Sequence, residues 1–379
     1  MRESRTLRLA TRGSDLALRQ ASAVEDRLAD RRTEVELVAV ETHGDQLREE
    51  LIHRLGKTGA FVRAVDERVL DGDCDAAVHS MKDVPTEFPD ELVVAGVPKR
   101  APPHDVLITP DGGSIADLPE GAVVGTSSLR RTAQLLAERP DIEVESLRGN
   151  VDTRIEKLLA PSRQREHERR MEAEESGEEG ESDEAFDRTV EEWFDDLTEI
   201  ERRALGRDWT TEYDAIVLAE AGLERIGLLP HVAYERLPVS RFVPAPGQGA
   251  LAVTALDGEF AAHVHERVNH PRTRVETTAE RTILETLGGG CVAPVGIHAT
   301  MRGEFVHATV RVLSRDGTEE VSASRDLPVG DHAEAARTFA EVLAERGADD
   351  LIEAARVHDE EEREAKRADE GEDEQEAPR

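Results

Sequence analysis

Short apolar strands that run into polar turns and then into amphipathic helices recur along this chain, and that alternation leaves few folds open. Leu7-Arg-Leu-Ala10 reads as a strand and Thr11-Arg-Gly-Ser14 as its turn; Leu16, Leu18 and Val24 then mark a helix with Ser14 at its N-cap. Val35-Glu-Leu-Val-Ala-Val40 leads through a polar turn to a helix from Phe61 to Leu70. Asp75-Ala-Ala-Val78 ends in His79-Ser-Met-Lys-Asp-Val-Pro85, and Leu92-Val-Val-Ala95 follows. After Ala101-Pro-Pro-His104, a credible hinge, the pattern restarts. Ala122-Val-Val124 meets Gly125-Thr-Ser-Ser128 before a helix with Arg130 and Arg131, and the strand at 142–147 meets Arg148-Gly-Asn150 before a helix with Arg154. Strand alternating with helix predicts parallel sheets in an α/β fold. Such sheets bind ligands at the carboxyl ends of their strands. Three of those ends carry a hydroxyl or amide N-cap with an arginine alongside, which is the equipment for an anion.

Charge limits the partners. The chain of 379 residues carries 48 basic and 82 acidic side chains, a net −34, and only five of the basic ones are lysine (Lys57, Lys82, Lys99, Lys157, Lys366). General binding to nucleic acid or to an anionic membrane is excluded on that balance. Self-repulsion of this size is tolerable where the Debye length shrinks to about 3 Å at 1 M salt, so a halophilic source is expected. No apolar run has the length of a membrane span, and the charged start lacks a signal-peptide pattern, so a soluble cytoplasmic protein is expected. The two cysteines, Cys74 and Cys291, form no metal or disulfide spacing, and no metal is expected.

From about residue 160 to 208 the pattern breaks. Low-complexity acid at 172–184 predicts disorder, and Phe186, Val190, Trp193, Leu197, Ile200 and Ala204 predict one amphipathic helix after it. The strand-helix pattern resumes at Tyr213-Asp-Ala-Ile-Val-Leu-Ala219 and a helix around Leu223. Pro244-Ala-Pro-Gly-Gln-Gly-Ala250 marks a second crossing between domains. A helix at 277–287 then delivers Cys291 in a glycine run. Glycines around a thiol permit close approach of another molecule, although free cysteine is as often a small buried hydrophobe. Strands at 305–313 and 319–324, a helix at 333–354 and a charged, disordered tail from about His358 close the chain.

Six motifs in order carry a resemblance: His79-Ser-Met-Lys-Asp-Val-Pro85, Val124-Gly-Thr-Ser-Ser-Leu-Arg-Arg131, Leu147-Arg-Gly-Asn-Val-Asp-Thr-Arg154, Tyr213-Asp-Ala-Ile-Val-Leu-Ala219, Gly247-Gln-Gly-Ala250 and Gly289-Gly-Cys291. Together they resemble the porphobilinogen deaminase (hydroxymethylbilane synthase) family from about Leu7 to Ile352. The resemblance implies two periplasmic-binding-protein-like βα domains facing a cleft, at 6–100 plus about 247–267 and at 101–246, and a small α+β domain at 268–357. It implies a dipyrromethane cofactor joined by a thioether to Cys291, and a transferase that condenses four porphobilinogen molecules head to tail with loss of ammonia, then hydrolyses the product to hydroxymethylbilane. Asp83 matches the catalytic aspartate, a buried carboxylate that would accept a pyrrole N–H, stabilise positive charge developing there and shuttle protons. Arg12, Ser14, Lys82, Thr126, Ser127, Ser128, Arg130, Arg131, Arg148 and Arg154 match the family's carboxylate binders, and Phe61 its ring-packing phenylalanine. A monomer is implied, with possible hand-over of product to uroporphyrinogen-III synthase.

The chain departs from the family pattern in places. The usual Gly-Lys-Gly before the phenylalanine appears as Lys57-Thr-Gly59, which leaves the role of Lys57 or Thr58 open; His104 stands where an arginine is usual; Cys74 matches no ligand and reads as a small core residue. A solute-binding module would share the two-lobed architecture but has no use for Gly-Gly-Cys on a third domain or for Asp83 beside Lys82. A thiol-dependent acyl transferase using Cys291 would need a base, for which His298 and His79 are available but not oriented by the sequence.

Overall fold

The computed structural model describes residues 5–40, 60–86, 89–176, 186–289 and 293–361. The chain folds into two compact units, residues 1–104, 129–138 and 238–379 in one and residues 105–128 and 139–237 in the other.

In the first unit the elements come in order as β1 (Arg5–Arg12), α1 (Asp15–Leu28), β2 (Thr33–Val40), α2 (Ala60–Leu70), β3 (Ala76–Ser80) and, after a 3₁₀ turn at Met81–Asp83, β4 (Leu92–Gly96). In the second unit they are β5 (Asp105–Ile108), β6 (Val123–Gly125), then, beyond α3 (Leu129–Glu138) of the first unit, β7 (Glu143–Glu145), α4 (Val151–Ser176), α5 (Val190–Asp196), α6 (Glu199–Leu205), β8 (Ala215–Ala219), α7 (Glu220–Arg225) and β9 (Tyr234–Arg236). The first unit then resumes with β10 (Leu251–Leu256), α8 (Glu259–Val268), α9 (Pro271–Thr286), β11 (Val295–Arg302), β12 (Phe305–Leu313), β13 (Glu320–Pro328) and α10 (His332–Ala344).

Both five-stranded sheets follow one plan. Their orders are β2-β1-β3-β10-β4 and β7-β6-β8-β5-β9. In each, four strands share a direction and the fourth in line runs against its neighbours: β10 is antiparallel to β3 and β4, and β5 to β8 and β9. The wholly parallel sheets expected from βα alternation are therefore mixed. Each reversed strand follows a passage of the chain from one sheet to the other, at 101–104 and at 238–250, so it enters from the opposite end. Local periodicity cannot report that.

Alternation along β1 and β3 splits the first core in two, as a pleated strand requires. Leu7, Leu9, Ala76 and Val78 join Val24 and Leu28 of α1 and Val264 of α8 on one face. Ala10 and Ala77 join Val65 and Val69 of α2, Leu92 and Cys74 on the other. Cys74 is the small core residue expected, and burial pushes its thiol pKa up. In the second unit Val106, Ile108, Ile216 and Leu218 pack against Ile155 and Leu158 of α4 and Ile200 of α6. The C-terminal strands form an antiparallel meander, β11-β12-β13. Its inner face, Ile297, Val306, Val310 and Val312, is covered by Ile283 of α9, Phe339 of α10 and Ile352.

Three expectations are corrected. Helix α4 runs without a break through Pro161 to Ser176, where acid-rich sequence predicted a disordered span from residue 172; residues 177–185 lie outside the described residues. Ion pairs brace the helix just before that stretch, where Arg163 and Arg170 both bind Glu166, and Arg163 also reaches Glu201 of α6. The single amphipathic helix expected from 186 to 204 is two short ones, because Thr189 and Thr198 each build a capping box, with Glu192 and Glu201, and so start a helix twice. The closing helix expected at 333–354 is broken at 345–347, where Gly347 has φ 95°, and helix resumes at 348–361, so residues 358–361 of the expected disordered tail are helical.

Candidate functional site

The polar residues singled out by sequence gather at strand ends, and in the first unit one geometry places them. Strands β1 and β3 are parallel neighbours, paired Leu9 to Ala76 and Ala10 to Ala77, so both release their chains at the same edge. Arg12 ends β1, and Ser14 caps α1, its Oγ accepting from the Ala17 amide at 3.3 Å. Beyond β3, Met81–Asp83 form the 3₁₀ turn. Met81 is 2 % exposed and its amide donates to the Ala250 carbonyl at 3.0 Å, which pins the turn; Lys82 and Asp83 are exposed. The Asp83 carboxylate expected to be buried is therefore at the surface, because the only apolar residue of Met81-Lys-Asp83 turns inward.

The Gly247-Gln-Gly249 turn lies against this one. At Gly247, with φ 76°, a Cβ would stand 2.6 Å from Met81 Cγ and 3.2 Å from the Lys82 amide nitrogen. Only glycine allows that approach. Helix α3 packs here too, with Arg130 and Arg131 only 5 % and 6 % exposed. Arg130 donates to the Val243 carbonyl at 2.8 Å and to Gln248 Oε1 at 3.4 Å. A share of its donor capacity thus goes to the protein itself.

In the second unit β6 and β7 pair in parallel, Val124 to Val144 and Gly125 to Glu145, and release Thr126–Ser128 beside Ser146–Asn150. The Thr126 amide donates to the Glu145 carbonyl at 2.9 Å, and Ser127 Oγ to the Leu147 carbonyl at 2.8 Å. Arg154 Nε donates back to the Gly149 carbonyl at 2.8 Å. Arg148 is exposed and Arg154 partly so. Thr126, Ser127, Ser128, Arg148 and Arg154 are accordingly brought together by one strand pair. Cys291 and Lys57 and Thr58 lie outside the described residues, as does the side chain of Phe61, whose backbone is in α2. Both stems of the Cys291 loop are defined: Gly289 N donates to the Leu284 carbonyl at 3.0 Å, and Leu313 N to the Pro294 carbonyl at 3.1 Å.

Two family models match this chain, the porphobilinogen deaminase dipyromethane cofactor binding domain over residues 7–165 and 199–263, and the porphobilinogen deaminase C-terminal domain over residues 275–346. The chain belongs to the porphobilinogen deaminase family. A probable porphobilinogen deaminase of Halobacterium salinarum is 53% identical, over 93% of this chain and 99% of its own. One from Methanococcoides burtonii is 37% identical over 92% and 96%, and a porphobilinogen deaminase from Syntrophomonas wolfei 36% over 90% and 96%. The match to the family skips residues 166–198, within the acidic stretch that breaks the strand-helix pattern.

The donor set of each strand edge fits this family's ligand. Guanidinium forks, an ammonium and hydroxyls suit a chain of pyrroles bearing carboxylates, and at Gly13, between Arg12 and Ser14, a Cβ would meet nothing within 4 Å.

Sequence reasoning passed over a buried cluster beneath these turns. Glu280 of α9 is wholly buried and accepts from Arg100 Nη1 at 2.7 Å and Nη2 at 3.1 Å, from the Gly247 amide at 2.6 Å and from the Ala299 amide at 2.7 Å. Burial by itself would raise its pKa; the charge of Arg100, together with His298, whose Nδ1 stands 3.4 Å from Oε1, outweighs that and holds it below the usual carboxylate range. A signal existed: Glu276 and Glu280 fall on the same helical stripe as Ile283 and Leu287, where a solvated acid does not belong.

Proposed function

We propose that this chain, as a transferase, condenses four porphobilinogen molecules head to tail with release of ammonia, and frees hydroxymethylbilane by hydrolysis. The reading rests foremost on family membership joined to one observation, that Arg12, Ser14, Lys82 and Asp83 share a sheet edge on turns fixed by backbone hydrogen bonds. We assign Cys291 as the thioether anchor of a dipyrromethane group, which when bound supplies the nucleophilic pyrrole carbon that starts each chain. Arg12, Ser14 and Lys82 at one edge, Thr126, Ser127, Ser128, Arg148 and Arg154 at the other, and Arg130 and Arg131 on α3 hold carboxylates; Phe61 packs a ring.

Asp83 does the proton work. As ammonia leaves porphobilinogen, positive charge grows on the pyrrole nitrogen, and a carboxylate oxygen accepting that N–H stabilises it. The same oxygen can take the proton lost when the new pyrrole regains aromaticity. Because Asp83 is exposed while its turn is anchored, the carboxylate is presented from a fixed backbone, and the substrate's own rings must exclude water from it.

The domain division stays a proposal: 6–100 with about 247–267, 101–246, and 268–357. So do a monomeric state, a cytoplasmic setting at high salt and hand-over of product to uroporphyrinogen-III synthase. Intact-protein mass spectrometry with Asp83→Ala and Cys291→Ser tests the chemistry. Wild type and Asp83→Ala should carry the dipyrromethane mass and Cys291→Ser should lack it, with Asp83→Ala slower by about 10²-fold or more. An unmodified Cys291 in active protein would sink the assignment.

A further inference from the structure

Helix α9 presents three faces. Ala279 and Ile283 pack on the C-terminal sheet, Glu280 enters the buried cluster with Arg100, and Arg274 and Arg281, seven residues apart, share the third. Arg274 donates from Nη1 to the Val94 carbonyl at 2.9 Å and from Nη2 to the Ala95 carbonyl at 3.0 Å, which ties the helix to β4. Arg281 donates from Nη1 to the Val84 carbonyl at 2.8 Å and from Nη2 to the Pro85 carbonyl at 2.6 Å. These are the two residues that follow Asp83.

We propose that Arg281 is a positioning residue for Asp83: its guanidinium fork grips the chain directly after the catalytic turn and couples that turn to the helix that ends at the Cys291 loop. This rests on the roles assigned above to Asp83 and Cys291. The fork spans rather than lines a packed core. Met81, Thr86, Val94, Val97, Thr277 and Thr282 border a cavity of about 260 Å³ beside it, so little apolar packing supports the turn from the α9 side. Its partners are uncharged carbonyls, and Glu285, one turn on, offers only attraction through space. Burial consequently pushes the Arg281 pKa down, a cost that a purely solvated arginine would avoid. Lysine could not replace the fork, because two carbonyls on consecutive residues need two donors at fixed spacing.

The test compares Arg281→Met and Arg281→Lys with Arg274→Met, which breaks the same kind of contact on the same helix but to β4 instead of the turn. Each protein is weighed for its covalent adduct, then followed by amide exchange at Val84, whose N–H donates to the Met81 carbonyl at 3.2 Å, and by turnover. Arg281→Met should keep its adduct, exchange Val84 about tenfold faster or more, and lose about 10²-fold in kcat with KM nearly unchanged. Arg281→Lys should recover part of each, and it decides the matter if the methionine variant does not fold. Arg274→Met should melt earlier yet keep both Val84 protection and kcat. Wild-type exchange and kcat in loaded Arg281→Met would overturn the proposal, as would equal losses in Arg274→Met. Absence of the adduct from wild type would instead remove the deaminase chemistry, and the amide readout would still judge the clamp.

Discussion

Replacing Glu280 by glutamine probes the buried cluster with almost no change of volume. Oε1 accepts from Arg100 Nη1 and the Ala299 amide, with His298 Nδ1 3.4 Å away, and Oε2 accepts from Arg100 Nη2 and the Gly247 amide. An amide NH₂ placed at either position would therefore face a guanidinium and a backbone N–H, donor against donor, and Arg100 would lose the charge that balances it. Breaking a buried pair from one side costs about 3–5 kcal/mol. At a slope of about 2–3 kcal/mol per molar, that moves a urea midpoint down by about 1–2.5 M. The assay is urea unfolding followed by far-ultraviolet circular dichroism in concentrated KCl at pH 7. Adding Arg100→Met to Glu280→Gln should return part of the loss, since the stranded charge is gone. Because the folded pKa of Glu280 is depressed, its contribution is complete above the unfolded value near pH 4.5 and disappears as pH falls through the folded one. The difference between wild type and variant should hence be constant from pH 7 to about 5 and shrink below that. A loss under about 1 kcal/mol at pH 7, or a difference that grows on acidification, would refute the reasoning.

Two further outcomes follow from the same structure. Gly249 has φ 83°, and a Cβ there would stand 2.5 Å from the Ala101 carbonyl oxygen, so Gly249→Ala should cost at least about 1–2 kcal/mol by thermal unfolding; an unchanged midpoint would count against this backbone. With a net charge of −34, melting temperature should fall steadily as KCl is lowered from about 1 M, where the Debye length is about 3 Å, to about 0.1 M, where it is about 10 Å; full stability in dilute buffer would rule out charge repulsion as the reason.

The strand-turn-helix pattern and the polar strand ends were legible in the sequence because they are local properties. Leu7, Leu9, Ala76 and Val78 alternate as a pleat demands, Ser14 caps the helix that follows it, and six short motifs in order carry the family. The fixed length of a strand and its turn then leaves little freedom over where Arg12, Asp83 or Arg154 can stand. The direction of β5 and β10 was hidden, since it depends on where the chain re-enters a sheet and not on any neighbour in sequence. The capping boxes of Thr189 and Thr198 are local as well, but the hydrophobic spacing runs on across both and by itself points to a single helix.

Partnership across distance is what only tertiary structure decided. Glu280 and Arg100 are 180 residues apart, and Arg281 grips carbonyls 196 and 197 residues away. A charge on an apolar stripe announces that some partner exists, yet the partner's identity comes from how β3, β4, β10 and α9 pack. Asp83 shows the same limit in reverse. Sequence marked it as the chemical group, and packing decided that Met81 takes the buried place on that turn and leaves the carboxylate facing out.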